Sequence, residues 1–447
     1  MSKKKIISDV VCPFCGSLCD DIEVIMENDT IKEVKNACQL GATKIRGNRN
    51  SKRLTKPLIK IKEEFVEATY DEAAEQAAKI LLEAEFPIFY GFGSTEANAH
   101  RESIKFAEEV GAIWDHCPSV CHGPSVLAIQ EIGIAGCTLG EIRNRSDLIV
   151  YIGTNPMEAH PRHMSRYTTF PRGFFREKGF QERTVVVIDI RKTETAKVAN
   201  HYIQIQPNRD FEFLSALRAV VRGQTLKVET VAGVPREKIE ELAELMKNAK
   251  HGVLFFGLGL ASTKGNHRNV DAALSLVRDL NDYTKFYVQP MRGHFNVTGA
   301  QNVITWISGY PFAVSYLKGY PQYNPGEFSL TGVMSRQEAD AAVIVASDPV
   351  GNSPKQVMEH FARIPLIVLD PYETPTTQLA SVVFPVTISG VESDGTAYRM
   401  DHVPIRLRKI KKGPKGVLTD YAVLKKIAQK YRKLKKENRK KAPKKEW

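Results

Sequence analysis

The sequence predicts an α/β protein of several domains, built on doubly wound, mostly parallel sheets and preceded by a small cysteine-bearing segment. Three observations carry this. Apolar runs of strand length alternate with stretches of helical periodicity, and the runs end in Gly, Asp, Ser, Thr or Pro. At 447 residues the chain exceeds one ordinary core, so roughly two to four domains are expected. Cys12, Cys15, Cys19 and Cys38 follow a C-x2-C-x3-C spacing with eighteen residues before the fourth cysteine.

That spacing suits four thiolates closing on one metal unit, and both zinc and a 4Fe-4S cluster fit it. A structural zinc site more often repeats a two-residue gap in its second pair, so the tight three-cysteine run leans toward iron and sulfide. Seven cysteines is an odd count, which speaks for a reducing compartment rather than a disulfide framework.

Downstream, Ala73, Ala77, Ile80 and Leu81 recur at helical spacing, with Asp71 placed to cap the helix. FPIFYGFG then reads as a strand running into glycines, and helical periodicity resumes from Glu96 to Val110. The unit recurs at Leu148 to Ile152, which ends at Gly153, and at Val185 to Ile190. It returns in HGVLFFGLGLAST, ADAAVIVASDPVGN and RIPLIVLDPYETP. In parallel sheets, ligands bind beyond the carboxyl ends of the strands, so this row of strand ends predicts a long ligand cleft. None is a full G-x-G-x-x-G; GFGST and GLGLAST share only part of it, so a nicotinamide is not the expected ligand.

The formal charge of +12 is concentrated at one end. From Lys425 onward twelve basic residues face only Glu437 and Glu446, which accounts for ten of the twelve net charges. A body near neutrality does not suggest a phosphate-tracking groove, so no nucleic acid is expected; the tail reads as a solvated appendage or a docking strap for an acidic neighbour. No run of eighteen apolar residues exists, so no membrane span is expected, and the start lacks the apolar stretch of a signal peptide. The expected location is cytoplasmic.

Two segments could carry chemistry. WDHCPSVCHGPS packs His116, Cys117, Cys121 and His122 into seven positions. It reads as a zinc half-site, as buried cysteines in a turn, as a thiolate presented where a helix opens, or as a Cys nucleophile beside a His. VQPMRGHFNVTGA places Arg292 and His294 after an apolar strand. Such an Arg forms a salt bridge or, beside a metal, grips a carboxylate in bidentate fashion.

Taken together, the cysteine motif, RLTKPL…ATYDEAAEQAAKIL, GTNPMEAHP, VVVIDIRKTETAKVANHYIQIQPNRDFEFLSAL and ASVVFPVTISGVESDGTAYRM resemble the molybdopterin oxidoreductases. CHGPS and QPMRGHFNVTGA most resemble, within them, the pterin-bearing B-type subunits of the formylmethanofuran dehydrogenases, over roughly residues 8 to 415. The resemblance implies a 4Fe-4S cluster on Cys12, Cys15, Cys19 and Cys38. It implies tungsten or molybdenum on Cys121, shared with two molybdopterin guanine dinucleotides, and His122 with Arg292 as the catalytic pair. Gly153, Thr154, Asn155 and His160 would contact one pterin nucleotide, with Asp189, Arg191, Gln206 and Asp210. Gly257, Gly259, Ser347, Asp348 and Asp370 would serve the other half.

The implied domains are an iron-sulfur domain of residues 1–61 with a return near 385–415, one α/β domain of 62–117 plus 296–384, another of 118–295, and the basic tail 425–447. The C-terminal barrel of many relatives is expected to be a separate subunit, alongside a metallohydrolase subunit and polyferredoxin or ferredoxin-like subunits. The implied activity is reduction of CO2 to formate. A formate dehydrogenase with the same centre, an iron-sulfur scaffold without pterin metal, and a zinc-ribbon nucleic-acid binder are the alternatives. Cys121, His122 and Arg292 together argue against the scaffold.

Overall fold

The computed structural model describes residues 4–47 and 52–441. Long apolar runs with β-branched residues become strands buried on both faces, and two such sheets organise the chain. The first sheet holds five parallel strands: Leu148–Ile152, Thr184–Asp189, His201–Gln204, His251–Phe256 and Lys285–Pro290. Their spatial order is 201, 184, 148, 251, 285, so the winding reverses between Leu148–Ile152 and His251–Phe256. The second sheet has nine strands. Its parallel centre runs Ile113–Trp114, Pro87–Gly91, Ala341–Val345, Leu366–Asp370 and Val382–Pro385, and reverses between Pro87–Gly91 and Ala341–Val345. Ligand crevices form at such reversal points because the flanking loops part there.

Helices cover both faces of each sheet. Val150, Ile152 and Phe256 pack under Asp210–Val221, Arg236–Lys247 and His267–Leu280, while Tyr151 and Phe255 face the opposite layer. Phe89, Val343 and Ile367 pack under Tyr70–Glu83 and Ala97–Val110. Fully burying one such side chain contributes about 1.5–3 kcal/mol, which is why the alternation of strand and helix survives as this architecture. A small antiparallel sheet, Lys4–Val10, Ile22–Glu27 and Thr30–Lys35, carries the cysteine loop. Ile410, from the late return, packs with Val10, Cys12, Cys19 and Ile22.

Three sequence expectations need correction. Thr69, not Asp71, caps the helix Tyr70–Glu83: its hydroxyl accepts from Glu72 N–H and the Glu72 carboxylate accepts from Thr69 N–H, a reciprocal capping box that leaves Asp71 in the first turn. Leu58–Ile61, placed within residues 1–61, pairs antiparallel with Val382–Pro385 and so extends the second sheet. The basic tail begins as a packed helix, Asp420–Lys441. Val423, Leu424, Ile427, Ala428 and Tyr431 form an apolar stripe that joins the second core, and Lys426 and Arg432 pair with Asp71 and Glu109. Its last residues, with Lys444 and Lys445, lie outside the described residues. No described helix is long and apolar enough to cross a membrane.

Candidate metal and cofactor site

The cysteine loop is folded tightly by its own backbone: Cys12 N–H donates to Cys19 O at 2.9 Å, and Leu18 N–H to Cys15 O at 3.1 Å. Cys38 caps the helix Gln39–Arg46, its Sγ accepting from Gly41 N–H at 3.3 Å. A Cβ on Gly41 would lie 2.7 Å from Cys12 Sγ, so glycine there lets the helix approach the thiols. All four cysteines line one cavity. Among the described residues no three Cys, His, Asp or Glu side chains gather into a site for one metal ion. Burial, with the neighbouring cysteines adding, raises Cys12 and pushes Cys19 up to about 12; burial raises Cys15 as well. Thiols so placed become thiolates only against a strong local cation. Arg162 locks the loop onto the first sheet through both Asp21 oxygens, at 2.6 and 2.7 Å.

The same loop is stitched to the segment that follows Lys285–Pro290. Gly16 N–H donates to Gly293 O at 3.0 Å, and Cys15 bridges His294. A Cβ on Gly16 would sit 2.4 Å from Arg292 O, so only glycine permits the join. Arg292 is 1% exposed, and its Nε, Nη1 and Nη2 all lack a partner among the described residues. A buried guanidinium is expensive unless paired, so three unmatched donors mark a place for an anion. Its backbone is held from behind by His160, whose Nε2 donates to Arg292 O at 2.8 Å.

Cys121 leaves the short turn Cys117–Val120 just before the helix Gly123–Ile132. Burial pushes its thiol up to about 11, against the opposing pull of Arg292. His122 is buried, with Nε2 donating to Met291 O at 3.0 Å and Nδ1 3.2 Å from Ser125 Oγ. Burial and the Arg292 charge push it down to about 3. His122, expected to pair with Arg292 in catalysis, is therefore a neutral imidazole with both nitrogens occupied.

Two crevices flank this centre, one at each sheet reversal. The first, about 400 Å³, is lined by Gly153, Thr154, Asn155, Asp189, Arg191, Asp210 and Gly259. A Cβ on Gly153 would meet Gly259 C and Leu260 N at 2.6 Å, so glycine is required where the two walls touch. Asn155 Oδ1 is taken by Thr195, while its buried Nδ2 has no partner among the described residues. The second crevice, about 590 Å³, is lined by Ser347, Asp348 and Asp370. Gly259, expected on the other half, lines the first crevice, because His251–Phe256 pairs directly with Leu148–Ile152. Three predicted contacts lie outside the crevice walls. Gln206 packs under Gly233, Gly257 packs on Thr154, and His160 supports the Arg292 backbone.

Sequence reasoning missed Lys44 and Asp420, which also line the second crevice. Burial pulls the Lys44 ammonium below its usual range, while Cys12, Asp370 and Cys15 oppose the shift. Its position six residues beyond Cys38, in the helix that Cys38 caps, was the available signal. Asp420 arrives from the far end of the chain and had none.

The family model described as molybdopterin oxidoreductase matches residues 53–430. The chain belongs to the molybdopterin oxidoreductases. This molybdopterin oxidoreductase is 49% identical to the B-type subunit of tungsten-containing formylmethanofuran dehydrogenase 2 from Methanocaldococcus jannaschii, across 96% of this chain and 99% of the relative. It is 26% identical to the alpha subunit of F420-dependent formate dehydrogenase 2 from Methanococcus maripaludis, across 96% of this chain and 71% of that one. Its fold is similar to a chain in the crystal structure of the formyltransferase/hydrolase complex FhcABCD from Methylorubrum extorquens, solved with methylofuran. The TM-score is 0.69 at 22% identity, covering 85% of this chain and 99% of that chain. The two crevices, the unmatched Asn155 and Arg292 donors and the thiol of Cys121 suit a pterin-bound metal, and four thiols around one cavity suit a cluster.

Proposed function

We propose that this chain is the CO2-reducing catalytic subunit of a formylmethanofuran dehydrogenase. Cys12, Cys15, Cys19 and Cys38 hold a 4Fe-4S cluster in a small N-terminal domain. Cys121 ligates tungsten or molybdenum, and the two crevices hold two molybdopterin guanine dinucleotides. The observation that carries the reading is the buried, unpaired Arg292 guanidinium beside the Cys121 thiol. The 49% identity to the formylmethanofuran dehydrogenase relative, against 26% to the formate dehydrogenase, favours this over a formate dehydrogenase. An electron-transfer scaffold has no use for an unmatched buried cation.

The metal, when bound, supplies the two-electron exchange between CO2 and formate. Arg292 holds the carboxylate oxygens and stabilises charge that grows on them, an effect worth most where water is excluded. His122, neutral and anchored on Met291 O, fixes the wall beside Cys121 and keeps a second positive charge out of the pocket. His160 sets the height of Arg292 through its backbone. Acidic Asp189 and Asp210 in the first crevice, and Asp348 and Asp370 in the second, suit the guanine and ribose donors of the nucleotides. A separate barrel subunit closes the crevices, a metallohydrolase subunit takes the formate, and ferredoxin-like subunits feed electrons. The assembly works in the cytoplasm.

The test is metal, pterin and rate analysis of the purified native complex. About four irons from this motif and one pterin-bound tungsten or molybdenum are expected per chain. Cys121→Ser should abolish CO2 reduction and leave the cluster's electron paramagnetic resonance signal intact. An active, intact complex with no pterin metal would falsify the reading.

A further inference from the structure

The end of the first sheet opposite the crevices carries a second built surface. Between the helix His163–Arg166 and the strand Thr184–Asp189 one loop exposes four phenylalanines within eleven positions. Phe174 is 77% exposed, Phe175 50%, Phe170 44% and Phe180 42%. Scattered apolar residues on a surface are ordinary, but exposed aromatic rings paired within one loop are the composition of an interface centre. The rings are grouped: Phe174 meets Phe175 edge-on at 4.9 Å, and Phe170 lies 5.8 Å from Phe180.

The loop is rigidly tied. Arg183, 4% exposed, directs its guanidinium to the carbonyls of Ser146, Thr169, Pro171 and Arg143. Phe174 N–H donates to Asn144 Oδ1 at 2.9 Å, and Phe175 N–H to Asn144 O at 3.0 Å. A Cβ on Gly173 would fall 2.1 Å from Arg143 O, so glycine lets the loop lie flat on the helix end. A buried arginine spent on holding exposed rings in place lowers the ordering cost of binding them.

Beside the rings opens a cavity of about 590 Å³, walled by Phe175 and Tyr287 and lined by Arg145, Arg176, Lys250 and Lys285 against the single carboxylate of Glu141. Asp147 lies close by, 3.4 Å from Arg176. Arg145 lies over the Phe175 ring at 4.5 Å, so cation and ring form one surface. His251, 5% exposed, lines the same cavity with Nδ1 on Ser146 Oγ and Nε2 without a partner among the described residues.

We propose that this loop and cavity form the docking surface for a partner subunit that presents an acidic segment carrying apolar side chains. The inference rests on the reading of the chain as one subunit of a larger enzyme. Charge complementarity selects the occupant. A two-fold contact with a second copy would set this basic cavity against itself, and a nucleic acid would need its cations spread along a groove rather than recessed beneath rings.

The experiment uses the native complex with Phe174 replaced by the photocrosslinker p-benzoylphenylalanine. An adduct joining position 174 to an acidic stretch of another subunit is expected. The adduct should disappear with Arg145→Glu and Lys285→Glu, both on exposed side chains. The pair Phe174→Ser and Phe175→Ser should cut retention of that subunit at least tenfold in a salt wash. An adduct to a second copy of this chain or to RNA, no adduct, or unchanged retention would overturn the proposal. Tungsten and pterin content is read in the same samples; their absence beside an intact adduct strikes the functional reading and leaves the docking surface standing.

Discussion

At the first crevice Asn155 Oδ1 accepts from Thr195, from its hydroxyl at 2.6 Å and its N–H at 3.3 Å. At the second, Asp348 Oδ1 accepts from Thr376, at 2.5 and 3.0 Å. Each Thr hydroxyl then accepts one helix N–H, Met157 at 3.3 Å in one case and Val350 at 3.1 Å in the other. The match extends outward. GTNP and ASDP leave corresponding strands, Asp189 and Asp370 each precede Thr residues by four and six positions, and FFGLG and FYGFG end the strands across the reversals. Cys121 follows Ile113–Trp114 and Arg292 follows Lys285–Pro290, the corresponding outer strands, so each half supplies one residue of the proposed centre. The two crevices differ in their neighbours. Only the second is walled by the cysteine segment, through Phe14, Gln39, Leu40, Thr43 and Lys44, and by Asp420 of the last helix. One framework used twice is specialised by what packs over it, and substitutions at matched positions separate framework from specialisation.

The largest effect is expected where the walls touch. Gly91 has φ +119 and its added Cβ would lie 2.2 Å from Val345 O; Gly153 has φ +56 and meets the opposite wall at 2.6 Å. Both closest atoms are backbone, which cannot step aside as a side-chain tip can. Gly91→Ala should lose on the order of 4 kcal/mol or more, and Gly153→Ala about 2–3 kcal/mol, read from denaturant midpoints of the complex. Unshifted midpoints would mean that the walls are not in contact.

The acids of the second crevice should give it a larger pH response than the first. Burial pushes Asp420 up to about 7 from the ordinary carboxyl value of 3.8, with Glu96 and Asp370 adding; burial likewise pushes Asp370 up to about 7. Asp189 and Asp210 are also raised by burial, each held back by hydrogen bonds. A raised carboxyl favours folding while protonated. Its contribution is full below about pH 4 and is lost as pH climbs through 7, up to about 4 kcal/mol for the buried Asp420. Asp420→Asn should therefore flatten the decline in melting temperature between pH 5 and pH 8 and be the more stable protein at pH 8. An identical decline in the variant would remove Asp420 as its source.

This asymmetry also explains what was legible in the sequence. The strand ends of the first crevice come from one continuous stretch of apolar runs, so Gly153 through Asp210 could be read directly. The second crevice is completed by Lys44 and Asp420, some 376 positions apart, which only the sheet order brings together. Gln206 was misplaced because the chain past His201–Gln204 turns toward Gly233. The apolar stripe of Asp420–Lys441 was present at helical spacing but lay between lysines that dominate the composition. The titration of His122 was invisible for a different reason: burial and the Arg292 charge, not residue type, set it.

The Asx–Thr bridges should separate by charge. Thr195 and Thr376 are both fully buried, so Thr→Val keeps the shape and deletes only the hydroxyl. Both variants lose the bond from the helix N–H as well; Thr376→Val also deprives a carboxylate of its donor and should cost about 1–2 kcal/mol more than Thr195→Val, which loses only neutral bonds worth about 1 kcal/mol each. Equal losses in thermal unfolding would mean that charge does not distinguish the two bridges.

The smallest effect is the most discriminating. Ala346 occupies the position matched to Gly153 and holds nearly the same backbone, φ +49 against +56, each N–H donating to the neighbouring strand, at Leu369 O and Ile188 O. A left-handed backbone costs an L-residue roughly 1–2 kcal/mol, and glycine gives back part of that through the freedom of the unfolded chain. Ala346→Gly should therefore be neutral or stabilising by at most about 1 kcal/mol in the same denaturation measurement. Set beside a clear loss in Gly153→Ala, that outcome isolates the cause: the second framework carries a Cβ at this φ, packed on the second core, and Gly153 is glycine because Gly259 stands against it. A loss in Ala346→Gly of the same size as in Gly153→Ala would instead tie both positions to side-chain packing and break the correspondence between the crevices.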